Sequence, residues 1–166
     1  MFDVLIIGGG VSGMSCALVL GSATNKSFAA NKKIAIIAHQ KSSSLQEALF
    51  NNAYGIPAGK LGSELLEESK EHLAKMYPQV LQIENEKVIK IQEQSSHFTV
   101  VTTKNSYTTK IVVVGIGSAN TFAIEGLMHY VEPNRKSLPE KERIQLKNTD
   151  HKVAEGIYVI GTLAGW

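Results

Sequence analysis

Three glycines near the start of the chain, Gly8, Gly10 and Gly13, have the spacing G-x-G-x-x-G. An apolar stretch precedes them and a run of small and apolar residues follows, so the sequence predicts a strand, a tight turn and a helix. In such a turn the first glycine permits the bend, the second lets the backbone approach a pyrophosphate, and the third lets the helix pack on the strand. The N–H groups that open the helix then face the anion. We interpret this segment as a dinucleotide-binding turn.

The alternative for this motif is a glycine-rich loop in an ordinary α/β domain. Three glycines at this spacing cost chain entropy that a close backbone approach would justify, which favours the binding turn. The loop residues Val11 and Ser12 then belong to the predicted site. Ala38 and His39 belong to it as well, because the end of the second strand lies beside the ribose in dinucleotide-binding folds.

The end of that second strand departs from the usual pattern. An acidic residue normally binds the ribose hydroxyls there, whereas this chain has Ala38 followed by His39. His39 and Lys41 would suit the 2′-phosphate of NADP, and an exposed loop histidine without a ligand is the plainer alternative. The motif alone therefore does not decide which dinucleotide binds.

Apolar runs predict the elements that position the turn. Residues 2–7, 33–38, 111–114 and 157–160 have the continuous apolar character of strands buried on both faces of a parallel sheet. Residues 11–21 predict the first helix. Short alternating runs between residues 80 and 110 predict a strand followed by a small antiparallel meander. A second helix is expected after Gly62, with a buried stripe formed by Leu61, Leu65, Leu73 and Met76.

These patterns predict an α/β fold with one Rossmann-like domain, a parallel sheet and a small antiparallel meander. The chain has 166 residues, 43% of them hydrophobic and 19% charged, with a net charge of +2, which suits one domain. Its basic residues are scattered, so we expect no nucleic-acid partner and no membrane association. One cysteine, Cys16, permits no intrachain disulfide and fits a cytoplasmic protein. The sequence indicates no metal site and no catalytic acid, base or thiol.

Four segments resemble the flavin-binding domain of thioredoxin reductase and related flavoproteins with two dinucleotide-binding domains. DVLIIGGGVSG resembles the pyrophosphate turn for FAD, and NNAYGIPAGKLGSELLEESKEHL resembles the segment with a Gly-Pro turn before a helix. FTVVTTKNSYTTKIVVVGIGS resembles the meander, a buried strand and the turn that contains Gly117. AEGIYVIGTL is similar to the terminal strand and its Gly-Asp motif, with Gly161 in place and Thr162 instead of the aspartate. The resemblance implies FAD as the cofactor, contacted by Gly117, Gly161 and Thr162.

The resemblance also implies what this chain lacks. The reductases carry an inserted NADPH domain with a Cys-x-x-Cys pair, and here only the connector 118–154 stands between the core halves 1–117 and 155–166. We therefore expect a redox flavoprotein without thiol-disulphide reductase activity, reduced by an external donor such as a reductase or a small carrier. Relatives often lack the acid at the position of Ala38, so FAD remains favoured.

Several alternatives stay open after the resemblance. The sequence stops at Trp166, where the family starts a helix, so either the chain continues or another subunit completes the site, and a homo-oligomer is possible. Trp166 would stack on the flavin or pack as an ordinary terminal residue. The alternatives to a redox flavoprotein are a non-catalytic or sensory FAD module, a subunit of a larger complex, a single-domain NAD(P)-binding protein and a remnant without cofactor.

Overall fold

A computed structural model of the chain describes residues 1–39, 43 and 45–165. Within these residues it contains two α-helices and a main sheet with five strands in the parallel order β5-β2-β1-β8-β12, with β11 antiparallel at the edge. The elements are β1 (Phe2–Ile7), α1 (Val11–Ser22), β2 (Ile34–Ala38), β3 (Leu49–Phe50), β4 (Lys60–Leu61), α2 (Gly62–Met76), β5 (Val80–Glu84), β6 (Val88–Glu93), β7 (Phe98–Thr102), β8 (Ser106–Val114), β9 (Val131–Pro133), β10 (Ile144–Leu146), β11 (Lys152–Ala154) and β12 (Ile157–Val159). The predicted Rossmann-like α/β fold with an antiparallel meander is confirmed.

The sheet is buried on both faces, as its apolar strands predict. On one face, Ile6 and Ile36 pack with Met14 of α1 and Leu73 of α2. On the other face, alternate residues of the same strands, such as Leu5, join a larger cluster beneath the meander and the connector. Residues 5–7 of β1 and all of β2 are buried, so these positions need no polar side chain, and this explains their continuous apolar sequences.

Strand β8 belongs to both parts of the sheet. Its first half pairs antiparallel with β7 to complete the meander, and Val101 lies opposite Ser106. Its second half pairs in parallel with β1 and β12, so Val112 lies beside Leu5 on one side and Ile157 on the other. The predicted apolar strand at 111–114 is therefore the end of one nine-residue strand.

The connector 118–154 contributes more to the core than its polar sequence indicates. It contains an antiparallel hairpin in which β9 pairs with β10. Phe122, Ile124, Leu127 and Leu146 from this segment are buried in the larger core cluster. These apolar residues are separated by polar ones without a helical or strand period, and the sequence analysis therefore did not assign them to the core. Its role as a replacement for an inserted domain stays a prediction.

The buried face of α2 differs from the predicted stripe. Leu66 and Leu73 are buried, whereas Leu61 and Met76 are largely exposed. Leu61 precedes the helix, and its N–H donates to the Glu64 carboxylate at 3.1 Å, so it lies outside the helical period. Among the described helices, none is long and apolar enough to cross a membrane.

Candidate cofactor-binding site

Two of the three motif glycines are required by the packing of the protein itself. Gly8 has φ 116°, and a Cβ there would overlap with the carbonyl oxygen of Gly115 at the end of β8. A Cβ on Gly13 would overlap with the carbonyl oxygen of Gly8, because α1 lies directly on the turn. Gly13 thus has the packing role that its position in the motif predicts.

Gly10 is different, because the protein itself does not require a glycine there. Its φ of −78° suits any residue, and among the described residues the nearest atom to an added Cβ is the Ser43 hydroxyl oxygen at 3.7 Å. A side chain at this position would extend into an open cleft. The missing side chain therefore leaves the backbone accessible to a ligand, as a pyrophosphate cradle requires.

The start of α1 offers hydrogen-bond donors to the same cleft. The first helical bond joins Met14 N–H to the Gly10 carbonyl at 2.9 Å. The N–H groups of residues 11–13 come before that bond and are not used by the helix. The first turn carries no acidic side chain, so its positive dipole end is not neutralised there. This geometry is typical of an anion-binding site.

A cleft of about 710 Å³ extends from this turn across the carboxyl ends of the parallel strands. Eight of the ten predicted site residues line it, namely Gly8, Gly10, Val11, Ser12, His39, Gly117, Gly161 and Thr162. Ala38 is buried in β2 and lies outside the lining, as does Gly13 beneath the turn. These two predicted residues support the cleft without reaching it.

The terminal turn after β12 contacts the start of α1. Gly161 has φ 68°, and a Cβ there would overlap with the Ser12 hydroxyl oxygen. Thr162 follows on the exposed edge of the cleft, and its carbonyl accepts a hydrogen bond from the Asn134 amide at 3.2 Å. The two ends of the described chain therefore meet at one site, which explains why motifs so far apart in sequence act together.

A smaller pocket of about 330 Å³ adjoins the cleft and shares Gly8, His39 and Gly117 with it. Glu86, two residues beyond β5, lies in its wall. The buried Glu86 carboxylate accepts hydrogen bonds from Thr102 and also from Asn105 and Tyr107, at 2.8 and 2.9 Å. These donors, Thr102 first, hold the pKa of Glu86 below its ordinary value.

Glu86 was not predicted as a site residue, because the acid that binds a ribose in dinucleotide-binding folds normally follows β2. The part of the cleft wall contributed by the connector was not predicted either, namely Asn134, Lys136, Ser137, Lys141 and Arg143. The run of basic residues between 135 and 143 was the available signal. It was interpreted as a solvated connector because acidic residues are interspersed with it.

Three further predictions concern reactive groups. Cys16 lies in α1 and is half-buried against the core, and burial raises the pKa of its thiol. Within the described residues no cluster of side chains could hold a metal ion. Lys41 and Trp166, considered above as ligand contacts, lie outside the described residues.

The fold and the glycine turn define a Rossmann-like domain, and comparison with known proteins gives its family. The sequence pattern of the pyridine nucleotide-disulphide oxidoreductases matches residues 2–162, so the chain belongs to that family. No curated protein matches the chain significantly.

Solved structures of thioredoxin reductases are similar to the chain. The enzyme from Streptococcus pyogenes MGAS5005 is 29% identical with a TM-score of 0.57, over 76% of this chain and 38% of that one. A ferredoxin-flavin thioredoxin reductase from Clostridium acetobutylicum is 27% identical with a TM-score of 0.53, over 78% and 42%. The atypical thioredoxin reductase TRi from Desulfovibrio vulgaris Hildenborough shares the fold, with 13% identity and a TM-score of 0.58, over 84% and 40%. The chain thus spans about two fifths of the structures that it matches.

Proposed function

We propose that this chain binds FAD without a covalent bond and serves as a redox module that depends on an external electron donor. The open backbone at Gly10, in a cleft shared with Gly161 and Thr162, is the observation that carries the proposal. Membership in a family that typically binds FAD supports it. When bound, FAD would supply the electron-transfer chemistry, and the chain would bind and orient it.

The two adjoining cavities suit the two ends of this cofactor. We place the diphosphate at the start of α1, and the adenosine towards His39 and the smaller pocket. The Glu86 carboxylate is suited to accept a hydrogen bond from a ribose hydroxyl, the role that Ala38 cannot fill. The flavin would then extend towards Gly161 and Thr162. These residues fit an extended dinucleotide better than a mononucleotide.

The electron source in this proposal is a separate donor. One cysteine cannot form a dithiol within this chain, so we do not assign it thiol-disulphide exchange. The similar structure from Clostridium acetobutylicum is named for ferredoxin and flavin, which supports a protein donor here. The donor, the oligomeric state and a cytoplasmic location stay predictions.

A visible spectrum of the purified protein tests the proposal directly. We expect a flavin spectrum that dithionite bleaches under anaerobic conditions and NADPH does not. Rapid bleaching by NADPH would contradict the external donor. A colourless protein that does not bind added FAD would overturn the proposal and favour a nicotinamide-binding or cofactor-free domain.

Two variants at one position test the placement of the diphosphate. Gly10→Asp adds volume and a negative charge to the cleft, whereas Gly10→Asn adds nearly the same volume without the charge. We expect both to retain less flavin than wild type, and Gly10→Asp to retain least. Unchanged flavin content in Gly10→Asp would show that the diphosphate lies elsewhere.

A further inference from the structure

The connector hairpin contributes cationic side chains to the cleft. Lys136, Lys141 and Arg143 line it, whereas no aspartate or glutamate does so among the described residues. We call these three residues the basic wall. A cavity lined by one sign of charge concentrates counter-ions of the other sign, so this wall makes the cleft attractive to anions.

Buried amides hold the basic wall in shape. Asn134 N–H donates to the Arg143 carbonyl at 2.9 Å, which closes the hairpin. The Asn134 side-chain oxygen accepts hydrogen bonds from the N–H groups of Lys136 and Ser137 at 3.0 and 3.1 Å. Gln145, also buried, accepts from Arg135 N–H at 3.0 Å. These bonds fix the backbone at residues 134–137 and at Arg143, and Lys141 N–H donates to the Leu138 carbonyl at 3.0 Å.

Two long-range hydrogen bonds attach the hairpin to the rest of the site. The Asn134 side-chain amide donates to the Thr162 carbonyl, and the Ile144 backbone N–H donates to the Ser118 carbonyl at 2.9 Å. Thr162 and Ser118 themselves line the cleft. The hairpin thus reaches the cleft at both of its strands, which brings Arg143 next to the segment around Gly117.

The nearby carboxylates do not neutralise the wall. Glu142, between Lys141 and Arg143, has φ 45° and does not line the cleft. Glu132 accepts from Arg135 at 2.9 Å and from the Gln145 amide at 2.8 Å. Lys141 and Arg143 form no ion pair within the described part of the chain. Both cations therefore remain available to an anion in the cleft.

We propose that Lys141 and Arg143 bind the phosphate groups of the dinucleotide, as a side-chain counterpart to the backbone cradle at α1. This inference rests on the proposed function, because the diphosphate of FAD is the anion that the cleft would hold. A guanidinium binds a phosphate through two parallel N–H donors, and a lysine adds a point charge. Affinity should then depend on the diphosphate and on salt concentration, and little on the flavin ring.

The test compares two double variants that remove the same charge. Lys141→Gln/Arg143→Gln changes the wall, and Lys75→Gln/Lys147→Gln is the control, because both control residues are exposed and neither lines the cleft or the smaller pocket. Titration calorimetry with FAD, ADP, riboflavin and inorganic pyrophosphate is repeated at two salt concentrations. Thermal melts of all three proteins confirm that they are folded.

We expect the wall variant to bind FAD, ADP and pyrophosphate about tenfold more weakly than the control, with a smaller salt dependence. Any affinity for riboflavin should be equal in both variants. Equal pyrophosphate and ADP affinities in the two variants, or no pyrophosphate binding by wild type, would overturn the inference. Pyrophosphate binding that the wall variant loses, without FAD binding by wild type, would retain the anion site and overturn only the proposed function.

Discussion

The two sides of the cleft use different parts of the chain to attract an anion. The turn at residues 8–13 presents backbone N–H groups from the start of α1 and no charged side chain. The basic wall presents the side chains of Lys136, Lys141 and Arg143 on a hairpin that joins the site through Asn134. The turn attracts an anion through the position of its backbone N–H groups, and the basic wall attracts it through its charged side chains.

This difference determines how each side responds to substitutions and to salt. A backbone cradle is lost when a side chain fills it or when the packing that shapes it is disturbed. A cationic wall tolerates changes in volume but loses its effect when charge is removed or screened by salt. Two predictions test this contrast, and a third concerns a residue outside both sides of the cleft.

The first prediction separates packing from access within the turn. Gly13→Ala should lower the free energy of unfolding by about 3 kcal/mol, because the new Cβ would overlap with the Gly8 carbonyl and the backbone must move. Gly10→Ala should cost less than about 1 kcal/mol, because no atom of the described residues lies closer than 3.7 Å to the new Cβ, and it should weaken FAD binding instead. Urea unfolding and FAD titration measure the two effects. Equal destabilisation by both variants would show that Gly10 also has a packing role.

The second prediction concerns the attachment of the basic wall. Asn134→Ala should lower the free energy of unfolding by about 2 kcal/mol, because the N–H groups of Lys136 and Ser137 lose their acceptor. It should also weaken FAD binding, because the hairpin loses its bond to Thr162.

Asn148→Ala provides the control for this attachment. The Asn148 side-chain amide donates hydrogen bonds to the Leu146 and Ala164 carbonyls at 2.7 and 3.1 Å, yet Asn148 does not line the cleft. We expect a loss of stability without a loss of FAD affinity. If both variants bind FAD as well as wild type does, the hydrogen bond from Asn134 to Thr162 does not contribute to FAD binding.

The third prediction concerns the stability contributed by Glu86, which lies outside both sides of the cleft. Glu86→Gln should lower the free energy of unfolding by about 1 kcal/mol at neutral pH, because hydrogen bonds from Thr102, Asn105 and Tyr107 favour the carboxylate. Since the folded pKa of Glu86 is lowered, this stabilisation is present above the ordinary pKa of 4.5 and is lost as the pH falls through the folded value.

Urea unfolding at a series of pH values measures how much Glu86 contributes to the free energy of unfolding. The difference between wild type and Glu86→Gln should shrink below pH 4.5, whereas Glu93→Gln at the exposed end of β6 should change little at any pH. A difference that stays constant down to pH 3 would show that the ionised form is not the one that the three donors stabilise.

The strands and the glycine turn could be predicted from the sequence because their signals are local. The apolar runs of β1 and β2 reflect burial on both faces, and the spacing of Gly8 and Gly13 reflects two overlaps that only glycine avoids. The full length of β8 was not predicted, because its first half, Ser106 to Lys110, is polar and belongs to the meander.

The basic wall and Glu86 could not be predicted in the same way. The position of Arg143 at the cleft depends on hydrogen bonds from Asn134 to Thr162 and from Ile144 to Ser118, which join residues far apart in sequence. Glu86 adjoins the smaller pocket because β5 pairs with β2. No pattern within a single segment encodes such contacts.

Strand β8 has a consequence for the order in which the chain folds. Its first half meets β7 after a short hairpin turn, so that pairing closes a small loop at low entropic cost. Its second half must capture β1 from one end of the chain and β12 from the other, which requires much larger loops. We therefore expect the hairpin of β7 and β8 to form early. The segments that contain β1 and β12, which carry residues of the cleft, should then pair with the second half of β8 last.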